Sequence, residues 1–277
     1  MAVVINKVWS GFFNSNPASG STNQSSDGSK FTVNMNSPLK IPESAISCKM
    51  AVLSASIWNT SPNISPLFGN NLFRYSADMT SFKTITIPEG LYSLTDLQSY
   101  LSSQFLAQAE PVNLFTISGN EPTQQTIITY SGATCVLDFT TNSVGSLMGF
   151  LPQVYNFPAV THGLLFSQSP AAFNRNNSYL ISTNMISSGI PVNSNGRGII
   201  ASIPIPAGSV NSIISYEPNQ LLYFDASELI GAPKTNFQFS LTNENLLFTP
   251  TNGDYWSFTV MIEYGVLLTD QNVPMRP

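Results

Sequence analysis

Residues 236–268, "NFQFSLTNENLLFTPTNGDYWSFTVMIEYGVLL", carry the plainest strand signal in the chain. Phe237, Phe239 and Leu241 alternate with polar residues. Trp256, Phe258, Val260, Ile262 and Tyr264 then repeat the alternation strictly. That period puts the five side chains on one face of a strand, the face that packs on a core. Between the two runs, "TNGD" (251–254) has the Asn-Gly chemistry of a hairpin turn.

Working outward, "NSYLIST" (177–183), "GIIASIPI" (198–205), "VNSIISYE" (210–217) and "LLYFDAS" (221–227) read as short strands separated by turn residues. Nearer the start, "FTVNM" from Phe31 alternates, and "CKMAVLSASIWN" (48–59) is a long apolar run suited to a central strand. Many short strands at such spacing predict a mainly β protein, a jelly-roll β-sandwich.

One stretch breaks the pattern. "IPEGLYSLTDLQSYLSSQFLAQ" (87–108) turns at Pro88–Gly90 and then reads as an amphipathic helix. Ser93 and Asp96 have the spacing of a capping box, and Leu94, Leu97, Leu101 and Phe105 recur on one helical face. "FKTITI" (82–87) precedes the helix; "LFTIS" (114–118), "QTIITYS" (125–131), "CVLDF" (135–139) and the turn "SVGSLMGF" (143–150) follow. The order predicts a small α+β subdomain inserted at 84–163, with the helix stripe packed on its sheet. The jelly roll is then 31–83 plus 164–268, and 269–277 is a tail.

Residues 1–13, "MAVVINKVWSGFF", form an apolar peptide followed by a Ser/Asn/Gly-rich stretch (14–30). Residues 1–30 are therefore expected to be an arm on a flexible linker, with Val8, Trp9, Phe12 and Phe13 as contacts to another subunit. The alternative is an edge strand that folds back on its own domain.

Only 9% of residues are charged, against about 25% in an average protein. The hydrophobic share is 42%, with 18 Phe, 10 Tyr and 3 Trp, which excludes disorder. Neutral polar groups are cheaper to bury than charges, so such a surface suits extensive packing against copies or relatives; it also suits a stable extracellular-type β protein. The net charge of −5 and ten scattered Lys and Arg argue against nucleic-acid binding. No signal peptide and no membrane-length apolar run is legible, so a soluble chain made in the cytosol is expected. Cys48 and Cys135 lie in apolar runs, where buried free thiols are expected over a disulfide.

Catalysis has little to build on. His162 is the only histidine, and "NSNGRG" (193–198) reads as a β-turn, not a phosphate loop. Glu217, Asp225, Glu228 and Glu263 are the members a glycosidase pair would need, and nothing in the sequence groups them. No enzyme activity, metal or cofactor is expected.

The ordered runs "SKFTVNMNSPLKIPESAISCKMAVLSASIWNTSPNIS", "FKTITIPEGLYSLTDLQSYLSSQFL" and "QQTIITYSGATCVLDFTTNSVGSLMGF" resemble the penton (minor capsid) proteins of virophages and Polinton-type elements. There a strand leads into Ile-Pro-x-Gly-x-Tyr, an amphipathic helix and a hairpin ending in a Leu-(Gly/Met)-Gly-Phe-like turn; "IPEGLY" and "LMGF" fit. The later "SYLIST…IIASIPI…YEPNQLLYFDASELI…FQFSLTNENLLF…YWSFTVMIEYG" keeps the family's order. The resemblance implies a single jelly-roll capsid protein of the virion. Five copies would close each icosahedral vertex beside capsomers of a major capsid protein, with contact surfaces in place of catalytic residues. The alternative is a receptor- or glycan-binding jelly-roll head or spike component.

Overall fold

The computed structural model describes residues 3–22, 25–132, 134–157, 163–173, 176–192, 198–206 and 211–268. His162, the 193–197 part of the expected turn and the 269–277 tail lie outside them. In chain order the first strands are β1 (Val3–Asn14), β2 (Ser21–Thr22), β3 (Lys30–Leu39), β4 (Ala45–Trp58), β5 (Leu72–Ser76) and β6 (Lys83–Thr86). Helix α1 (Leu94–Ala107) precedes β7 (Phe115–Asn120), β8 (Gln125–Tyr130), β9 (Cys135–Asp138), β10 (Val154–Phe157) and β11 (Gly163–Pro170). The last strands are β12 (Ser178–Thr183), β13 (Ile199–Pro204), β14 (Ile213–Tyr216), β15 (Phe224–Asp225), β16 (Lys234–Asn243) and β17 (Ser257–Leu268).

The chain is mainly β and divides into two units: residues 1–60 with 176–277, and residues 61–175. The first is a jelly-roll-like sandwich. One sheet has the order β1-β17-β4-β14, with β15 also on β4; the other has the order β13-β12-β16-β3-β2. Their inner faces share one core. Met50, Phe258 and Ile262 come from the first sheet, with Trp256 just before β17, and Phe31, Tyr179, Phe237 and Phe239 come from the second. Trp256 sets the packing: its ring is 4.9 Å from Phe31, stacks on Phe258, and donates its indole N–H to the Gly28 carbonyl at 3.1 Å. Val260 is buried in the same core, and Tyr264 is partly buried against it.

The "TNGD" turn forms, with Asn252 and Gly253 at positive φ and the Asp254 N–H donating to the Thr251 carbonyl. It does not close a β16–β17 hairpin as the sequence suggests. β16 pairs with β3 and β12, whereas β17 pairs with β1 and β4. The intervening loop carries the chain from one sheet to the other, because both apolar faces must meet across the core.

The inserted unit is wider than 84–163. β5 lies between β9 and β6 in the order β10-β9-β5-β6, and β11 joins β8 and β7 in a second sheet. Phe73 and Tyr75 on β5 enter an aromatic core with Phe105 and Phe115, the Tyr75 and Phe105 rings being 5.4 Å apart. On α1, Leu97, Leu101 and Phe105 are fully buried and Leu94 partly so. Ser93 caps the helix: its Oγ accepts from the Asp96 N–H at 3.1 Å, and Asp96 accepts from the Ser93 N–H at 3.0 Å. Gly149 of "LMGF" has φ +84°, and a Cβ there would stand 2.1 Å from the Ser169 carbonyl oxygen. Only glycine fits that turn.

Candidate interaction surface

The described residues of 1–30 do not form a detached arm. β1 pairs antiparallel with β17 along its whole length, from Val3 opposite Leu268 to Asn14 opposite Ser257, and β2 adds to β3. The reason lies in the alternation of β1. Phe13 points into the sandwich, its ring 4.6 Å from Phe239, and Trp9 packs beside it. Those two aromatics give the segment a face to bury on its own domain.

The opposite face of β1 is open. Val8 is 62% exposed and Phe12 65%, with Val4 also exposed. Their neighbours on β17 are Glu263 beside Val8, Met261 beside Ser10 and Thr259 beside Phe12. Thr259 in turn accepts from the Ser54 hydroxyl of β4 at 3.2 Å. Apolar and hydroxyl side chains therefore dominate this face; Glu263 stands opposite Lys49 as its charged pair of positions. β1 is also the end of its sheet order, so its outer backbone edge has no strand partner among the described residues.

The second sheet carries a feature that sequence reading missed. A concavity of about 500 Å³ lies on strands β3, β12 and β16, lined by Lys30, Thr32, Ser182, Asn184, Gln238 and Phe248 among others. Its floor comes from the polar positions that alternate with the core residues Phe31, Ile181, Phe237 and Phe239. That polar half of the alternation was visible, but its convergence depends on strands far apart in sequence.

Two of the carboxylates considered for catalysis serve local roles. Asp225 accepts from the Ser227 hydroxyl at 2.5 Å and N–H at 3.2 Å, and Glu228 accepts from the Ser187 N–H. Among the described residues no three His, Cys, Asp or Glu side chains group as a metal site. Cys48 and Cys135 are free and buried. Burial, with Asp225 adding, pushes the Cys48 thiol up to about 11, and burial pushes Cys135 up to about 12. Both are held as thiols at neutral pH, which makes them packing groups and poor nucleophiles.

No protein-family model matches the chain, and no curated protein matches it in sequence. Among solved structures, the crystal structure of the mavirus penton protein is similar at a TM-score of 0.46 and 9% identity, over 95% of this chain and 99% of the penton chain. No helix among the described residues is long and apolar enough to cross a membrane.

Proposed function

We propose that the chain is a structural subunit of a viral capsid, and within that role the penton that closes five-fold vertices. It would be made in the host cytoplasm and assemble as a pentamer beside capsomers of a major capsid protein. The observation that carries the reading is the open face and edge of β1, where Val4, Val8 and Phe12 stand exposed on a strand that ends its sheet. A long apolar edge is an aggregation hazard in a monomer and a ready contact in an assembly. The nearly uncharged surface supports the same reading, since a heterologous contact repeated round a ring desolvates few ions. The sequence resemblance directs it to capsids: "IPEGLY" leads directly into α1, and "LMGF" follows the 3-10 turn Val144–Ser146.

The test is light scattering with negative-stain microscopy of the purified chain, alone and co-expressed with a major capsid protein from the same genome. Five-fold rings or incorporation into shells are expected. Val8→Lys combined with Phe12→Lys should abolish them while leaving the melting temperature unchanged, since both positions are exposed and Val8 stands opposite Glu263. Monodisperse monomers that never join a co-expressed shell would count against the reading.

A further inference from the structure

We propose that the concavity on strands β3, β12 and β16 binds an acidic sugar unit, a ring bearing one carboxylate, on a surface glycan. The inference does not depend on the capsid reading and can fail while that reading stands. Its volume of about 500 Å³ lies within the roughly 300–1,000 Å³ of small-molecule sites. Its floor is made of inner strands of the sheet order, whose backbone groups are already engaged in the ladder. A peptide therefore cannot add as an extra strand here, and recognition has to run through side chains.

Those side chains are the kind that match ring hydroxyls. The Gln238 side chain makes no hydrogen bond within the chain among the described residues, and it is exposed. Asn184 accepts the Gln238 backbone N–H on its Oδ1 at 2.9 Å, which leaves its amide N–H groups to donate outward. The Ser182 and Ser240 hydroxyls bond each other at 2.8 Å, so one of them retains a donor or acceptor site toward the groove.

The acid preference comes from Lys30, the one charged residue lining the groove among the described residues. Its ammonium rests over the Phe248 ring, 3.5 Å from the centroid, a cation–π contact that positions the charge without neutralising it. Both salt bridges among the described residues, Arg74–Asp138 and Lys83–Glu110, lie in the inserted unit, so Lys30 has no carboxylate partner there. A ligand carboxylate would complete it as a charge-assisted acceptor. Among the described residues no carboxylate lines the groove, which disfavours a cation, and a single lysine without a backbone phosphate cradle disfavours a nucleotide.

The experiment is calorimetric or saturation-transfer titration of the whole chain with sialyllactose and with a glucuronate-terminated disaccharide, against lactose. The acidic sugars should bind about tenfold more tightly than the neutral one. Lys30→Gln should remove that preference, and Gln238→Ala should weaken acidic and neutral sugars alike. Both positions are exposed, and melting curves check that the variants fold. The unsubstituted chain is titrated first, so the proposal stands or falls on it even if a variant misfolds. No acidic sugar binding at millimolar concentration overturns the proposal. So does equal binding of lactose with Lys30→Gln silent. Loss of self-association in either variant, with no sugar bound, makes the face a subunit contact and also overturns it.

Discussion

At the scale of single residues, Asn63 shows how an insertion can be tied off. Its side-chain amide donates to the carbonyls of Tyr92 at 2.8 Å and Phe173 at 2.9 Å, while its Oδ1 accepts from the Tyr92 N–H at 2.9 Å. The residue is buried, and so it joins the entry of the 61–175 unit to its exit. Asn63→Ala leaves two partly buried carbonyls without their donors and should cost about 1–2 kcal/mol in urea unfolding. An unchanged midpoint would mean that the clasp adds no stability. A second residue-scale expectation concerns alkali. Burial pushes Cys135 from 9.0 to about 12, and burial with the Glu110 charge pushes Tyr75 from 10.0 to about 12. The folded state therefore holds these protons more tightly than the unfolded chain does. Their contribution is complete below about pH 9 and is lost as the pH rises toward about 12. The urea midpoint should fall across that window, and Cys135→Ala should flatten part of the fall. A midpoint that stays level from about pH 9 to about 12 would contradict this.

At the scale of elements, β1 separates two readings of the same residues. A flexible arm could be removed without cost. An edge strand that inserts Phe13 beside Phe239 and Phe258 could not. Deleting residues 1–14 should leave an unstable or insoluble protein, since losing one buried Phe alone costs about 3–5 kcal/mol. A shortened chain with the parent melting temperature would restore the arm. The sequence left both readings open because the deciding fact is non-local: the partner of β1 is β17, at the other end of the chain. α1 differs because its signal is local. The Ser93–Asp96 box and the Leu97, Leu101 and Phe105 spacing are written within one segment, and the structure has a capped helix with those side chains buried. The two strands of 236–268 were legible one by one, but not their assignment to opposite sheets. No local signal distinguishes a hairpin turn from a crossing loop that contains the same Asn-Gly pair.

At the scale of the whole molecule, the same contrast governs the division into two units. The limits 84 and 163 follow the visible helix and turn. The observed limits, 61 and 175, follow β5 and β11, whose membership is set by pairing with β6 and β9 and with β8. The groove on β3, β12 and β16 was hidden for the same reason, since Lys30, Ser182 and Gln238 meet only when the sheet forms. Each unit has its own hydrophobic core: Trp256, Phe239 and Met50 lie in one, and Phe73, Phe105 and Leu137 in the other. A segment with a core of its own, a capped helix, two sheets and clasped ends meets the requirements for independent folding. Residues 61–175 expressed alone should therefore give a soluble domain with a cooperative thermal transition and dispersed amide resonances. Asn63→Ala in that fragment should lower its melting temperature as it does the unfolding midpoint of the full chain, because the clasp joins two points inside the unit. If the fragment is instead unfolded while the full chain is stable, the insertion draws its stability from the sandwich, and the two-unit description fails.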